Sequence, residues 1–178
     1  YNIFCKIMFD LSTFGDAATR ISLERYLEGE ELSVFSICNG VDYKILSSAQ
    51  DHKRAYEGDK GPNTGGMGAY SPTPLSTPDL LDRVGSEIIQ PTLKAMSDRG
   101  YPYTGFLYVG LMIVDNNLYV IEFNVRMGDP ETQAVLPRLQ SSFFELLWNS
   151  TEGTLHKTNV KMSPKTAVTV VMAAEGYP

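Results

Sequence analysis

Apolar runs separated by turn residues dominate the pattern of hydrophobic and polar positions along the chain. Asn39-Gly40 and Asp115-Asn116-Asn117 each divide two runs that are rich in Val, Ile, Leu and Phe. Because Asn and Gly tolerate positive φ, this pattern is typical of β-hairpins, and at Asn39-Gly40 it predicts a two-residue turn. The predicted strands are Leu32–Cys38, Val41–Leu46, Thr104–Val114, Leu118–Asn124 and a terminal strand of buried type, Thr166–Ala174.

Helix start signals lie between and after these hairpins. Thr77-Pro78-Asp79 supplies an N-cap, a proline at N1 and an early acid, and apolar residues then recur near helical spacing. Pro91 lies within that run and is expected to kink or interrupt the helix. The elements together predict an α+β fold, mainly an antiparallel sheet with flanking helices. Further helices are predicted from Asp129-Pro130 to Pro137 and, with capping-box spacing at Ser142 and Glu145, toward Trp148.

The composition is that of a globular protein. The 178 residues are 43% hydrophobic and 20% charged, which is too apolar for a disordered chain. No apolar run reaches the roughly 20 residues that span a bilayer. The formal net charge of −6 argues against a broad nucleic-acid-binding surface, because little positive charge remains to neutralise phosphates. We therefore expect neither a nucleic acid nor a membrane among the partners.

The two cysteines and the first residue bear on the cellular setting. Cys5 and Cys38 form neither a disulfide framework nor a metal-ligand spacing, and their apolar neighbours predict buried free thiols. The chain begins at Tyr1 without a methionine and shows no signal segment. These features favour an internal piece of a longer protein and a cytoplasmic location.

Ser47–Thr77 is a long segment heavy in Gly, Pro, Asn and Ser, and it is predicted to be a loop. Structureless loops of this length are uncommon in compact domains and are usually functional or disordered. Within it, Gly61–Tyr70 contains glycines whose backbone N–H groups can approach an anion closely, although such a run is more often a plain turn. It is not a Walker A loop, because no Gly-Lys-Ser/Thr follows. Gln50–Arg54 adds charges that are either a solvated run or part of a site.

The strongest chemical pattern lies in the last strand of the second hairpin. Side chains alternate faces in a strand, so Glu122, Asn124 and Arg126 share one face. A carboxylate and an amide oxygen are hard ligands suited to Mg²⁺, and an arginine beside them can hold phosphate or carboxylate oxygens. The alternative is a half-exposed strand with a polar outer face. The residues expected on the opposite face, toward a core, are Ile121, Phe123 and Val125.

Two more groups of acids accompany this strand. Asp129 and Glu131 follow it directly, and one explanation is a helix start with Asp129 as N-cap and Pro130 at N1. Capping alone does not explain the concentration of oxygen ligands, and a helix N-terminus is itself an anion site, so both roles can coexist. Far upstream, Glu24–Glu31 is either a solvated surface or an extended linker that contacts adenine, with an acid for the ribose.

Together these patches resemble one family, glycinamide ribonucleotide synthetase (phosphoribosylamine–glycine ligase), an ATP-grasp enzyme of purine biosynthesis. The resemblance runs from about Ile7–Asp10 to Glu175–Pro178. Single patches would suggest only the ATP-grasp superfamily, whereas their combination is specific to the family. The motifs that carry it are Gln50–Arg54, Gly61–Pro72, Tyr103–Met112 and Val120–Thr132.

The resemblance implies the C-terminal half of an ATP-grasp domain and an ATP-dependent ligase. ATP, glycine and 5-phosphoribosylamine would give glycinamide ribonucleotide, ADP and phosphate through glycyl phosphate, because a carboxylate does not condense with an amine unless it is activated. The implied cofactors are ATP and Mg²⁺ (or Mn²⁺), with catalysis by phosphate clamping and charge stabilisation. Another ATP-grasp carboxylate–amine ligase and a non-catalytic nucleotide-binding module stay open as alternatives.

The resemblance also implies roles for individual residues. The metal ligands would be Glu122 and Asn124, and Arg126 would be the catalytic residue that stabilises phosphate charge. The ATP-binding residues would be Glu24, Arg25, Tyr26 and Leu27 at the adenine and Glu31 at the ribose. The residues that line the glycine and phosphoribosylamine sites would be Asp51, Lys53, Gly65, Gly66, Gly68, Asp129 and Glu131.

The chain departs from the family pattern in two respects. Many ATP-grasp enzymes carry another acidic metal ligand where this chain has Gly110, so water and phosphate oxygens would complete the metal shell. The family's N-terminal domain, the first half of its nucleotide clamp and its C-terminal domain are not in this sequence, so we expect the isolated chain to be inactive. Residues 1–20 would end a preceding subdomain, 21–150 would form the C-terminal ATP-grasp subdomain, and 151–178 would begin a following domain. The longer protein has either a single activity or a fusion to other purine-pathway domains.

Overall fold

A six-stranded antiparallel sheet organises the chain. The computed structural model describes residues 15, 20, 22–58 and 60–178. The strands are β1 (Glu30–Asn39), β2 (Tyr43–Asp51), β3 (Arg54–Tyr56), β4 (Lys60–Asn63), β5 (Gly68–Ser71), β6 (Thr104–Val114), β7 (Asn117–Asn124) and β8 (Ala167–Val170). The main sheet has the order β7-β6-β1-β2-β5-β8, and β3 pairs with β4 in a separate ribbon. The predicted α+β class with a mainly antiparallel sheet is confirmed.

The first predicted hairpin forms, but its turn is shifted by one residue. The backbone N–H of Asn39 donates to the carbonyl of Asp42 at 3.0 Å, so Gly40 and Val41 are the central residues rather than Asn39 and Gly40. Gly40 has φ +92°, which suits the first central position of a type II′ turn. The side-chain oxygen of Asn39 accepts from the backbone N–H of Asp42 at 2.7 Å and closes the turn.

The second hairpin confirms its prediction closely. Val114 pairs with Asn117, which leaves Asp115 and Asn116 as the two central residues of the turn. Both have positive φ, 49° and 63°, in the left-handed region that Asp and Asn tolerate better than other side chains.

The prediction of a loop across Ser47–Thr77 is wrong. β2 continues to Asp51, and β3, β4 and β5 all lie within the segment. Serines such as Ser47 and Ser48 suggest a solvated loop, yet they are only 7% and 1% exposed. Their backbone groups pair with β1, and the Ser47 hydroxyl lies 3.1 Å from the Ser71 hydroxyl. The segment therefore contains the end of β2 and all of β5, two interior strands of the main sheet, together with the β3–β4 ribbon.

One continuous helical stretch follows, as predicted from Thr77, whose hydroxyl accepts from the backbone N–H of Leu80 at 3.2 Å. It comprises α1 (Pro78–Arg83), a π-helical segment (Val84–Ile89) and α2 (Gln90–Asp98). Pro91 does not end it, because it lies in the first turn of α2 directly after the π-helical segment. The change of hydrogen-bond register replaces the predicted interruption, since a widened turn leaves room for the proline ring.

Two short helices complete the chain's second half. The helix predicted to end at Pro137 is α3 (Thr132–Val135), followed by a 3₁₀ turn (Leu136–Arg138). α4 (Phe143–Thr151) begins as predicted after Ser142, whose hydroxyl accepts from the backbone N–H of Glu145 at 3.2 Å. A further 3₁₀ turn, Leu155–Lys157, follows α4.

Hydrophobic clusters pack on both faces of the sheet. In β1, Leu32 and Val34 face the cluster covered by α1 and α2, whereas Phe35 and Ile37 face the cluster covered by α3 and α4. Burial of each such side chain stabilises the fold by about 1.5–3 kcal/mol. Cys38 is a fully buried free thiol, as expected. Cys5 lies outside the described residues.

The C-terminal strand differs from the prediction, and most of the N-terminal segment lies outside the described residues. The terminal strand is shorter than predicted and is not buried, because β8 is a sheet edge where Val168 and Val170 are 68% and 75% exposed. β8 pairs with β5, so residues beyond 150 extend the same sheet, and the division of the chain at 150 stays a prediction. The unit proposed for residues 1–20 lies almost wholly outside the described residues. In the part of the chain that the structure describes, no helix has the length and apolar character to cross a membrane.

Candidate active site

β7 and the residues directly after it bring three polar side chains to one cavity. Glu122 and Asn124 lie in β7 and share a face by strand alternation, and Arg126 lies two residues beyond the end of the strand and lines the same cavity. In the register with β6, Glu122 lies opposite Gly110 and Asn124 lies opposite Tyr108. Backbone pairing thus places Glu122 and Asn124, the bend after β7 places Arg126, and the roles assigned to the three residues remain predictions.

The opposite face of β7 is not buried, contrary to expectation. Ile121 and Phe123 in β7 and Val125 just after it are 45%, 44% and 73% exposed, because nothing in the described part of the chain covers this side of the edge strand. A register shift opposite Gly110 and Leu111 also turns Ile121 toward a cavity that Glu122 shares. Strand periodicity alone reveals neither the edge position nor the bulge.

Lys53 connects this cavity with two neighbouring ones, since it lines all three. Its Nζ lies 2.9 Å from Oε2 of Glu31 and 3.9 Å from Oδ2 of Asp51. Burial opposes the charge on Lys53, but its bond to Glu31 and the nearby Asp51 outweigh that effect and raise the pKa of Lys53. Burial raises the pKa of Asp51, against the attraction of Lys53. The three groups form a charged centre at the junction of the cavities.

The two adjoining cavities that Glu122 lines are called the cleft here. Glu131 is the most deeply buried acid of the cleft, at 4% exposure. Its Oε1 accepts a hydrogen bond from the Ser33 hydroxyl at 3.4 Å, and that hydroxyl lies 2.9 Å from the hydroxyl of Tyr108. Burial raises the pKa of Glu131. Gly128 lies against the carboxylate, and a Cβ there would fall 2.4 Å from Oε2 of Glu131. The absence of a side chain at 128 therefore allows this carboxylate to fold back into the cleft.

Asp129 lines the same cavity but does not cap α3, so the expected capping role is wrong. Its Oδ1 accepts from Nε2 of Gln133 at 2.9 Å, and the N-cap position is Glu131, which makes no side-chain capping bond. The backbone N–H groups of Thr132 and Gln133 instead reach the carbonyls of Gly128 and Pro130. Backbone acceptors have taken the place of the capping side chain.

The glycine-rich loop is divided between cleft and sheet. Gly65 lines the cavity of Glu122. Gly66 has φ +123°, and a Cβ there would lie 2.4 Å from Cδ of Pro130, so the loop packs tightly on the Asp129-Pro130 corner. Gly68 lies in β5, where a Cβ would meet the carbonyl oxygen of Thr169 at 2.7 Å. Its missing side chain is explained by the pairing of β5 with β8 rather than by a ligand.

The predicted adenine contacts are not gathered into the described cavities. Ser22–Glu28 has no regular structure, and Tyr26 is 83% exposed. A cavity of about 500 Å³ lies next to this segment, bordered by Gly29, Glu31 and Met112 among others. Glu31 is therefore the one predicted nucleotide contact that lines the cleft. The predicted contacts outside the cavity linings are Glu24, Arg25, Tyr26 and Leu27.

Three further residues of the site, Ser33, Tyr108 and Gly128, are not predicted from the sequence. Ser33 and Tyr108 are 75 positions apart, and Ser33 and Glu131 are 98 apart, so no local motif joins them. Strand alternation does place Tyr108 on the same face as Gly110, but the partner across the sheet depends on the register with β1 and β7.

Carboxylates outnumber cations around the cleft, with Lys53 and Arg126 as the cationic lining groups of the Glu122 cavity. Within the described ranges, no group of three or more His, Cys, Asp or Glu side chains could hold a metal ion. A site with Glu122 and Asn124 as its protein ligands fits Mg²⁺, which is usually held by one or two carboxylates together with waters and substrate phosphates. The acids that line the cleft are Glu31, Asp51, Glu122, Asp129 and Glu131.

This sheet with its cleft is the fold of the ATP-grasp proteins. A biotin carboxylase domain of a thermophilic 2-oxoglutarate carboxylase is only 15% identical, yet its fold matches with a TM-score of 0.61 over 94% of this chain and 36% of that chain. This likeness shows that the fold is shared at low sequence identity.

Within that class, the chain belongs to the family described as phosphoribosylglycinamide synthetase, ATP-grasp (A) domain, which matches residues 3–132. The phosphoribosylamine–glycine ligase of Chlorobaculum tepidum is 54% identical over 170 residues, 96% of this chain and 40% of the relative. The crystal structure of the Thermotoga maritima ligase is 39% identical with a TM-score of 0.78, over 87% of this chain and 39% of that chain. The bifunctional purine biosynthetic protein ADE1 of Schizosaccharomyces pombe is 49% identical over 93% of this chain and 21% of the relative. The predicted family is confirmed, and the chain spans about 40% of the length of the single-activity relatives it matches.

Proposed function

We propose that this chain carries the catalytic face of a ligase that uses ATP to join glycine to 5-phosphoribosylamine. The products would be glycinamide ribonucleotide, ADP and phosphate, a step of purine biosynthesis. One observation carries the proposal: a carboxylate, an amide and a guanidinium, from Glu122, Asn124 and Arg126, line one cavity together with Lys53 and the buried Glu131. The names of the relatives support the choice of glycine and phosphoribosylamine as substrates.

The excess of acids in the cleft supports a divalent cation as cofactor. Five carboxylates would repel a triphosphate, so a cation must offset them before the nucleotide can bind. Glu122 and Asn124 would hold Mg²⁺ (or Mn²⁺), which would neutralise charge on the β- and γ-phosphates of ATP. Glu31 would accept the ribose hydroxyls beside Lys53, and Glu24–Leu27 would contact the adenine.

The chemistry would need two displacements. A carboxylate oxygen of glycine attacks the γ-phosphorus, and the bond to ADP breaks to leave glycyl phosphate. Arg126 would donate to the phosphate oxygens as negative charge moves onto them. The amine of phosphoribosylamine then attacks the acyl carbon, phosphate leaves with the bonding electrons, and the nitrogen loses a proton. Binding groups that exclude water here would protect the acyl phosphate from hydrolysis.

The residues proposed for substrate binding divide into two groups. Those that line the Glu122 cavity are candidates for direct contact: Asp51, Lys53, Gly65, Asp129 and Glu131. Gly66 and Gly68 would contribute by shaping the backbone of the loop between β4 and β5, as their close contacts indicate. We also propose that residues 21–150 act as the catalytic subdomain of a longer cytoplasmic enzyme with one activity or with fused purine-pathway domains.

Replacement of Arg126 by Ala in the full-length protein tests the proposal. We expect turnover to fall by about 10²–10³-fold while the KM for ATP changes by less than about threefold, because the guanidinium acts on charge that develops during transfer. The measurement is ADP release that depends on both glycine and phosphoribosylamine. Arg99→Ala is the matched control, since Arg99 is exposed at the end of α2 and donates to the Ala95 carbonyl of its own helix.

Two outcomes would contradict the proposal at different points. Equal turnover in Arg126→Ala and the parent would remove the role of Arg126. Activity with a different amine, in a parent enzyme that ignores phosphoribosylamine, would retain an ATP-grasp ligase but reject these substrates.

A further inference from the structure

A chain of three buried polar side chains crosses the floor of the cleft. Ser33 in β1 is 3% exposed, Tyr108 in β6 is 5% exposed, and Glu131 before α3 is 4% exposed. The hydroxyls of Ser33 and Tyr108 are 2.9 Å apart, and Ser33 reaches Oε1 of Glu131 at 3.4 Å. The three groups come from three different elements, and Tyr108 and Glu131 both line the cavity of Glu122.

The donor and acceptor of each hydrogen bond among these three side chains can be assigned. A serine hydroxyl has one proton, and an ionised carboxylate can only accept. Ser33 therefore donates to Glu131, and Tyr108 must donate to the oxygen of Ser33. Burial raises the pKa of Tyr108 to about 12, so its proton is retained at neutral pH. The proton of Tyr108 thus fixes the orientation of the hydroxyl that supports the Glu131 carboxylate.

Two features hold Tyr108 in this position. Its ring packs edge-on against Phe35, with ring centroids 5.2 Å apart and an interplanar angle of 65°. Gly110 leaves open the space beside the ring, since a Cβ there would lie 3.2 Å from Cε1 of Tyr108 and 3.1 Å from Cγ of Glu122. Position 110, which carries no side chain here, therefore leaves room for the ring of Tyr108.

We propose that Tyr108 and Ser33 are positioning residues that aim the Glu131 carboxylate at the amino group of an amine substrate. The inference rests on the proposed function, because it takes Glu131 as part of the substrate site. The carboxylate packs against Gly128 on its other side, and among the described residues Ser33 is the only side chain that donates a hydrogen bond to it. Without that donor the carboxylate would be buried with fewer partners and free to turn away.

The test uses full-length protein with Tyr108→Phe, Ser33→Ala and Glu131→Gln, alone and in pairs. We expect Tyr108→Phe and Ser33→Ala each to raise the KM for glycine or for phosphoribosylamine about tenfold and to leave the KM for ATP within about twofold. The substrate whose KM rises identifies the amino group that Glu131 contacts. In the Glu131→Gln background, neither substitution should have a further effect, because both act through the same carboxylate. Tyr103→Phe is the matched control, since among the described residues its hydroxyl donates to the Phe106 carbonyl and to no group of the cleft.

A second readout separates this inference from the proposed function. Loss of the Ser33 donor should raise the pKa of the Glu131 carboxyl, because the Ser33 hydrogen bond lowers it. This pKa is measured by ¹³C NMR of the full-length protein in the parent and in Ser33→Ala. The charges of Asp51 and Lys53, which also act on Glu131, are the same in both proteins. If the parent shows no ligase activity but this pKa rises, the proposed function fails and the positioning contact stands. Additive losses in the double variants, or an equal rise in the KM for ATP, would overturn the positioning role.

Discussion

Three glycines around the cleft make room for neighbouring groups. A Cβ at Gly66 would meet Pro130 at 2.4 Å, a Cβ at Gly128 would meet the Glu131 carboxylate at 2.4 Å, and one at Gly110 would meet Glu122 at 3.1 Å. Contacts under 3.0 Å with ring or carboxylate atoms require something to move. At the residue scale, the positions of the cleft acids therefore depend as much on absent side chains as on those present.

At this scale we predict that Glu122→Gln raises the Mg²⁺ concentration needed for half-maximal activity of the full-length protein by about tenfold. The substitution keeps the shape of the side chain but removes the charged ligand. The measurement is the Mg²⁺ titration of ligase activity, and Glu145→Gln on the exposed face of α4 is the control. An unchanged Mg²⁺ dependence would remove Glu122 from the metal site.

The buried Glu131 carboxyl gives a prediction on pH. Its pKa in the folded state is raised above the ordinary value of 4.5, so folding favours the protonated form. This contribution to stability is present below pH 4.5 and is lost as the pH rises through the folded pKa. Glu131→Gln, which stays neutral, should therefore gain unfolding free energy relative to the parent between about pH 4 and pH 7.

The check is denaturant unfolding of the full-length parent and variant across that range, with Glu145→Gln as a control for the loss of one negative charge. A difference that is constant with pH, or that shrinks toward pH 7, would show that the carboxyl is not held in a desolvated state.

Among the elements, the junction of β2, β5 and the 3₁₀ turn after α3 is held by one buried arginine. Arg138 is 6% exposed and donates to the hydroxyls of Ser47 and Ser71, both at 2.6 Å. It also donates to the carbonyls of Ser163 and Lys165. Burial lowers the pKa of Arg138, and its partners are all neutral acceptors. The guanidinium thus joins the strand that leads to the glycine-rich loop with the segment before β8.

We predict that Arg138→Met weakens this junction by about 2–4 kcal/mol, because it removes four hydrogen bonds and leaves buried hydroxyls and carbonyls with fewer partners. Native-state hydrogen exchange of the β5 amides in full-length protein measures the local opening free energy. Arg99→Ala, at the exposed end of α2, should change it by less than about 0.5 kcal/mol. If Arg138→Met also lowers the opening free energy by less than about 0.5 kcal/mol, the pairing of the strands and not Arg138 holds this junction together.

The elements that the sequence predicts well are those set by neighbours along the chain. Thr77, Ser142 and the Asp115-Asn116 turn act over three or four residues, and each works as expected. Ser47–Asp51 looks like a loop because its serines carry no hydrophobic pattern, and it is a strand because it pairs with β1 and, at its end, with β5. Likewise, β7 and β8 were expected to bury apolar faces, but only the strand order reveals that both are edges.

The same distinction applies to the site. Strand period alone places Glu122 and Asn124 on one face, whereas the position of Arg126 depends on the bend that follows β7. The support that Ser33 and Tyr108 give to Glu131 joins residues 75 and 98 positions apart, and it becomes visible only when the sheet is assembled.

For the whole molecule, the cleft borders the central part of the sheet, where helices cover both faces of β1. On one face of β1, Ser33 opens toward the cleft while Phe35 and Ile37 pack under α3 and α4. The cleft is thus a continuation of the hydrophobic core in which polar side chains replace apolar ones. The segment proposed to contact the adenine, Glu24–Leu27, is largely exposed.

We predict that these 178 residues alone show no steady ADP release with glycine and phosphoribosylamine. The chain spans about 40% of the length of its single-activity relatives, and the segment proposed to contact the adenine, Glu24–Leu27, is exposed and lines none of the described cavities. The measurement is a coupled ADP assay, with the full-length protein as the positive control. Sustained turnover by the short chain would show that the described cleft is sufficient for catalysis.

The ladder between β1 and β6 pairs ten consecutive residues, from Glu30 opposite Ile113 to Asn39 opposite Thr104. Because neighbouring strand residues point to opposite sides, deleting one residue inside β6 would reverse which of its side chains look into the cleft. Extra residues at the Asp115-Asn116 tip would leave that pairing untouched. Insertions and deletions should therefore be tolerated in the turns. Within β1 or β6 they should not be tolerated, because they would break the contact between Ser33 and Tyr108.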